Sequence, residues 1–265
     1  MSGELSRLGV LGVWEISEKE WKAFFKRRSR RIERALAQSS PGLELLWETQ
    51  PDVDWAARYQ ASLKALVVGR RWVVLPAPNV ENPWPGRTVI RLVPGGAFGT
   101  GEHFTTASCL RALDGLPRVP ETVLDVGCGS GILSVASMLI GCGRVVACDI
   151  DLHACKAARE TADLNRTPYF VLAGSAGDVS GRFDLVLANI LAETLLAIFS
   201  DLSDRLAPSG ILMGSGIMYE KGEEVLQAAR AMGLELRSKA TDGDWWTFTW
   251  TREYAVGNGQ NKKQP

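Results

Sequence analysis

The stretch Val123-Leu-Asp-Val-Gly-Cys-Gly-Ser-Gly-Ile-Leu-Ser134 constrains this chain more than any other. A run of strand-forming apolar residues stops at Gly127, Gly129 and Gly131, and an apolar helical pattern begins at once. Glycine permits such a turn, and without a Cβ it lets a ligand approach the main chain. A buried strand feeding a helix in this way belongs to a sheet whose carboxyl edge faces a ligand. The surrounding pattern agrees. TVLDVG, RVVACDI, YFVLAG, FDLVLANI and GILMGSGI read as strands, with helical stretches ILSVASMLIG, LHACKAARETADLN and ETLLAIFSDLSDRLA between them. Thr105–Leu113 reads as a helix ahead of them and Glu220–Met232 as one after. ELRSKA and WWTFTWTR bring the strands to seven, close enough to form a hairpin, so one of them should run antiparallel. The expected fold is α/β, a doubly wound, mostly parallel seven-stranded sheet.

The next strand ends in Asp149, 22 positions after Gly127. A carboxylate there can accept both hydrogen bonds of a ribose diol. Asp151, rather than Asp149, suits the cap of the following helix. A nicotinamide or flavin fingerprint requires G-x-G-x-x-G/A, and Ile132 and Ser134 occupy its last position in either register. Asp125, two residues before Gly127, would repel a pyrophosphate but suits the cationic end of S-adenosylmethionine, whose amino group needs acceptors. Gly127, Gly129 and Asp149 are therefore candidate cofactor-binding residues. Two further clusters stand out. Gly95-Gly-Ala-Phe-Gly-Thr-Gly-Glu-His-Phe-Thr-Thr106 opens a helix whose amino end would face a ligand, and Leu187-Ala-Asn189-Ile-Leu ends the fourth strand, across the crevice from the glycine loop.

The rest of the chain sets the context. With 265 residues there is room for one α/β domain and a small companion. Residues 1–53 read as a small α+β N-terminal domain: strands in LGVLGVWEI, Trp21–Phe25 and LELLWET, and a basic helix over Lys26–Ala37. That helix is a solvated face or a surface for RNA or an acidic partner. Residues 54–102 read as a linker helix over Asp54–Ala65 and a proline-rich connector holding the strands GRRWVVLP and TVIRLVP. The sheet domain spans 103–253, and 254–265 form a polar tail expected to be disordered. Thirty lysines and arginines balance thirty acids, so no global field draws the chain to nucleic acid or membrane. No apolar run reaches about 18 residues and no signal-peptide core opens the chain, so a cytoplasmic protein is expected. Five cysteines without a CxxC pair read as small buried hydrophobes, not a disulfide framework or metal site.

AFGTGEHFTT, LDVGCGSGILS, ACDID and LANIL, in that order and spacing, resemble the bacterial ribosomal protein methyltransferases called PrmA. The resemblance covers roughly residues 54–252, and its GTGxHxTT element is absent from most methyltransferases. It implies a class I, Rossmann-like methyltransferase that uses S-adenosylmethionine to modify lysine side chains and the N-terminal amine of large-subunit ribosomal protein eleven. By motif, Thr106, Gly127, Asp149 and Asn189 would bind the donor, and Phe98, Gly99 and Thr100 would cover its methyl end. The family's small ferredoxin-like βαββαβ domain grips the ribosomal protein. Here GVLGVWEISEKEWKAFF is similar to its second and third strands only, so an incomplete N-terminal domain is expected. Related mitochondrial methyltransferases acting on electron-transfer flavoprotein share the sheet domain, so the alternatives are a different lysine target or a donor-binding module without turnover. A monomer is expected, needing no metal, membrane or direct nucleic-acid contact. For the chemistry, the Asn189 side chain or its main-chain carbonyl can accept a hydrogen bond from the incoming amine, and His103 and Glu102 are candidate proton acceptors at the entrance, with a structural or gating role the alternative for His103. His153 is expected at the surface.

Overall fold

A computed structural model of the chain describes residues 8–17, 20–39, 44–48, 65–75, 82, 84–93 and 103–252. The chain divides into two compact units, Met1–Asp54 and Trp55–Pro265.

In the first unit, β1 (Val10–Ser17) and β2 (Glu20–Phe25) form an antiparallel hairpin, followed by helix α1 (Arg30–Ser39). Ile32 and Leu36, one turn apart on α1, pack with Val10, Ala23, Phe25 and Trp47. The helix begins at Arg30, not at Lys26 as the basic run suggests. Ser29 sets the start: its Oγ accepts the Arg31 N–H at 3.2 Å and its carbonyl accepts the Glu33 N–H at 3.1 Å. The strand expected in LELLWET is also absent: residues 44–48 have no regular structure, and Leu46 is 86% exposed. Leu45 and Leu46 are both exposed and lie in no strand, and apolar composition alone does not make a strand.

The second unit opens with a three-stranded sheet. β3 (Leu66–Val68) pairs antiparallel with β4 (Trp72–Leu75), and β4 pairs in parallel with β5 (Thr88–Arg91). The segment read as a connector thus carries a sheet of its own. It is anchored by buried Trp72, whose indole N–H donates to the Leu110 carbonyl at 2.9 Å. The helix expected over Asp54–Ala65 and the tail 254–265 lie outside the described residues.

Then come α2 (Phe104–Asp114), β6 (Thr122–Val126), α3 (Ile132–Leu139), β7 (Arg144–Asp149), α4 (Leu152–Asn165), β8 (Phe170–Ala173) and β9 (Phe183–Asn189). They are followed by α5 (Ala192–Ala197), α6 (Phe199–Asp204), β10 (Leu206–Met218), α7 (Tyr219–Ala231), β11 (Leu234–Asp242) and β12 (Trp245–Arg252). The seven strands lie in the order β11-β12-β10-β9-β6-β7-β8, and only β12 pairs antiparallel to its neighbours. The expected fold is present. Where one helix was read over ETLLAIFSDLSDRLA there are two, parted at Ile198 (φ −109°, ψ 13°). The Ile198 N–H still reaches the Thr194 carbonyl and the Leu202 N–H the Ile198 carbonyl, so the stretch is in effect one bent helix.

Both faces of the central strands β6, β9 and β10 are buried, which is why they read as continuous apolar runs. Along β9, Leu185 and Leu187 face α2, α3 and the small sheet, while Val186 and Ala188 face the layer of α5, α6 and α7. The chain winds outward from β6 through β7 to β8, then crosses back to β9 on the other side. This reversal splays the loops after β6 and β9 apart and opens a crevice between them.

Candidate active site

A cleft of about 590 Å³ occupies that crevice. Its floor is the glycine loop. Gly127, Gly129 and Gly131 have φ of 69°, 53° and 78°, a region that strains other L-residues. Packing adds to the requirement. A Cβ on Gly127 would overlap Ile190 Cγ2, and one on Gly131 would overlap the Tyr169 hydroxyl and lie 2.9 Å from Ala158 Cα. Gly131 thus serves helix packing, while Gly127 and Gly129 line the cleft.

Asp149 lies beside this loop. Its Oδ2 accepts the Gly129 N–H at 3.0 Å and its Oδ1 the Asp151 N–H at 3.0 Å. Asp151 is the N-cap of α4 and accepts the His153 N–H at 2.8 Å; His153 itself is exposed. The two acids therefore divide the work as their spacing suggests, with Asp151 on the helix and Asp149 on the cleft. Asp125 also lines the cleft although its side chain is only 1% exposed. The Ser134 hydroxyl donates to Asp125 Oδ2 at 2.6 Å, yet burial pushes its carboxyl up to about 6.

The opposite wall comes from the ends of β9 and α2. The Asn189 Nδ2 donates to Thr106 Oγ1 at 3.2 Å, and Asn189 Oδ1 is buried with no hydrogen-bond partner among the described residues. His103 is the N-cap of α2, its Nδ1 lying 2.9 Å from the Thr105 hydroxyl and 3.5 Å from the Thr105 N–H. One of its two ring nitrogens is thus committed to the helix. Its ring meets Trp245 edge to face at 4.8 Å. Beneath them, Ser215 lies 2.6 Å from Thr247 Oγ1 and bonds the Thr105 carbonyl at 3.4 Å, fixing the start of α2 to the sheet.

The structure brings His103, Thr106, Gly127, Gly129, Asp149 and Asn189 onto one cleft. Phe98, Gly99, Thr100 and Glu102 lie outside the described residues. Sequence reasoning missed the apolar part of the lining. Ile150 is 81% exposed and Leu191 61%, and half-buried Trp245 closes one side. The available signal was position: Ile150 directly follows the acid and Leu191 follows Asn189 by two, both just past strand ends that face the crevice. Gly216 (φ 81°) was another, since a Cβ there would overlap the Ile190 carbonyl. The five cysteines are buried, and burial pushes Cys109 and Cys148 up to about 12, so neither is a ready nucleophile. Among the described residues no cluster of His, Cys, Asp or Glu could hold a metal, and no helix is long and apolar enough to cross a membrane.

The comparisons with known proteins agree with this fold. The family model described as ribosomal protein L11 methyltransferase (PrmA) matches residues 13–253. The chain belongs to the PrmA family. The match starts within β1, well ahead of the stretch from residue 54 in which the sequence motifs lie. The ribosomal protein L11 methyltransferase of Pelobacter propionicus is 40% identical over 227 residues, which is 82% of this chain and 74% of that protein. The one of Geobacter sulfurreducens is 40% identical over 202 residues, 76% of this chain and 67% of its own. The crystal structure of a ribosomal protein L11 methylase from Lactobacillus delbrueckii subsp. bulgaricus superposes with a TM-score of 0.68 at 33% identity, covering 72% of this chain and all of that one. Like its PrmA relatives, this chain is a protein methyltransferase built on the class I fold.

Proposed function

We propose that this chain transfers methyl groups from S-adenosylmethionine to lysine side-chain and N-terminal amines of ribosomal protein L11. One observation carries the reading: Asp149, suited to a ribose diol, lines one side of the cleft, and Asn189, whose buried Oδ1 has no hydrogen-bond partner among the described residues, lines the other. The names of the relatives supply the substrate. The residues fit the donor. Asp149 would accept the two ribose hydroxyls, Asp125 and the loop main chain would receive the charged amino-acid end, and exposed Ile150 and Leu191 would offer apolar area to a purine.

Bound there, the donor supplies a methyl group already activated for displacement, so the protein's contribution is placement and desolvation. Asn189 Oδ1 takes a hydrogen bond from the acceptor amine and fixes the direction of its lone pair. The bond from Nδ2 to Thr106 holds that amide in place. A lysine amine with a pKa of about 10.4 must shed its proton before attacking, and the apolar walls at Trp245 and Leu191 favour the neutral form. His103, on the same cleft, is the candidate to receive the proton. Phe98, Gly99 and Thr100 are assigned to the methyl end by their motif.

The test is to incubate the protein with isotopically labelled S-adenosylmethionine and purified L11 and to map label by mass spectrometry. Label on lysine and N-terminal amines is expected. Donor binding without transfer to L11 would leave a different target or a binding module.

A further inference from the structure

Trp245 closes one side of the cleft, and the row of side chains it belongs to continues outward from there. In the antiparallel register of β10, β12 and β11, Met218 stands opposite Trp245, and Trp245 stands opposite Asp242. Residues directly opposite one another point to the same face of a sheet, so the three share the face on which the Trp245 ring meets His103. Beyond Asp242 the chain turns through Gly243 and Asp244. The Tyr219 N–H donates to the Asp244 carbonyl at 2.7 Å, which ties this turn to the start of α7. Met218 is 43% exposed, and Asp242 and Asp244 are exposed as well. Neither acid forms an ion pair among the described residues. The cations near them in sequence are engaged elsewhere: Lys239 lies over the Trp246 ring, on the other face, and Lys221 pairs with Glu224 at 2.9 Å. The cleft lining itself holds Asp125, Asp149 and Asp151 but no lysine or arginine.

We propose that the row Met218–Trp245–Asp242, together with Asp244, docks the stretch of substrate chain beside the target amine, and that it fits an apolar side chain and a cation flanking that amine. The proposal rests on the proposed function and adds a local preference to it. An amine that reaches the buried, unpartnered Asn189 Oδ1 brings its own main chain to the mouth of the cleft, because a lysine stem is only four carbons long and an N-terminal amine has none. A chain emerging along Trp245 meets Met218 on one side and the two aspartates on the other. An exposed methionine or acid standing alone is ordinary. Here both continue a wall of the site. Carboxylates without a protein partner favour a lysine or arginine neighbour and repel an acidic one. Methionine is unbranched and adapts its shape, which suits a site that takes amines with different flanks.

The test uses the full-length chain and short acetylated peptides with a single lysine. One peptide carries leucine and arginine beside the lysine, the other serine and glutamate. The wild type should methylate the first with kcat/KM higher on the order of tenfold. Asp242→Asn/Asp244→Asn should cut that preference several-fold at low salt and less at high salt. Met218→Ser should cut it independently of salt. Both variants should keep wild-type donor affinity and melting temperature, and a Glu160→Gln/Asp204→Asn control should match the wild type throughout. Equal kcat/KM on the two peptides, or a preference that both variants retain, overturns the proposal. So does a preference for the serine–glutamate peptide. Fluorescein-labelled forms of both peptides, titrated by anisotropy, separate this from the reaction itself. A binding preference that the variants abolish, with no methyl transfer, leaves the docking row standing and overturns the proposed reaction. Methyl transfer without a flank preference does the reverse.

Discussion

Asp149 and Asp151 sit two residues apart, yet one carboxylate holds the glycine loop and the other the first turn of α4. Their substitution should separate ligand binding from helix stability. Asp149→Ala should weaken S-adenosylmethionine binding by about 2–3 kcal/mol, through loss of charge-assisted hydrogen bonds. Asp151→Ala should cost about 1 kcal/mol of stability and leave donor affinity nearly unchanged. Calorimetry and thermal melts read the pair, and unchanged affinity in Asp149→Ala would remove it from the ribose role. Asp125 makes a pH prediction. Burial raises its carboxyl from the ordinary 3.8 to about 6, so the folded state holds the proton more tightly than the unfolded one. Its contribution is fully present below about pH 4 and is lost as pH rises through 6, about 3 kcal/mol in all. Denaturant melts of wild type against Asp125→Asn over that window should show the difference. Donor affinity should move the opposite way, rising through pH 6 as the carboxylate ionises to meet the donor's ammonium. Gly127→Ala should destabilise by about 1–3 kcal/mol, from positive φ and from overlap with Ile190. Adding Ile190→Ala should relieve only the overlap, so a full recovery of melting temperature would show that φ is not the constraint.

At the scale of elements, the sheet domain was legible because its central strands are buried on both faces and its loops are marked by glycine and acid. The misread pieces share a different physics. LELLWET has strand composition but no pairing partner among the described residues, and composition does not report pairing. The start of α1 was masked by its charge run and set by Ser29. The apolar wall of the cleft was hidden because Ile150 and Leu191 look like ordinary strand-end hydrophobes until the crevice is seen. The connector strands were readable, but the joint that holds one of them was not. Asn165, at the end of α4, accepts the Arg91 N–H at 2.8 Å and donates to the Arg91 carbonyl at 2.6 Å, so a side chain pairs with β5 from 74 positions away. Asn165→Ala should cost about 2 kcal/mol in thermal stability, since two main-chain groups lose their partner. A melting temperature equal to wild type would mean that water replaces the amide without loss.

For the whole molecule, the chain divides at Asp54 into two compact units. The Trp55–Pro265 unit contains both large apolar clusters and every described cleft residue. A protein comprising residues 55–265 should therefore bind S-adenosylmethionine as the full chain does, while its preference for L11 over a short lysine peptide should collapse. Comparing donor affinity by calorimetry with the ratio of kcat/KM on the two substrates checks both halves. Unimpaired selectivity would place recognition in the sheet domain. The N-terminal elements left a fainter mark on the sequence, because the hairpin and helix among the described residues bury too little surface to stamp a pattern as clear as that of the sheet.

The glycine loop is held in shape by its bond to Asp149, a contact internal to the protein. Under the proposed reaction, the donor and the demethylated by-product then meet the same preformed surface, since both carry the ribose, the purine and the amino-acid tail. Only the sulfur charge and one methyl distinguish them. Little ordering cost is left to favour the fresh molecule, so the by-product should compete for the empty enzyme at similar affinity. The pace of modification in the cell would then follow the ratio of donor to by-product more closely than the amount of donor, making the cell's methyl supply a throttle on this enzyme.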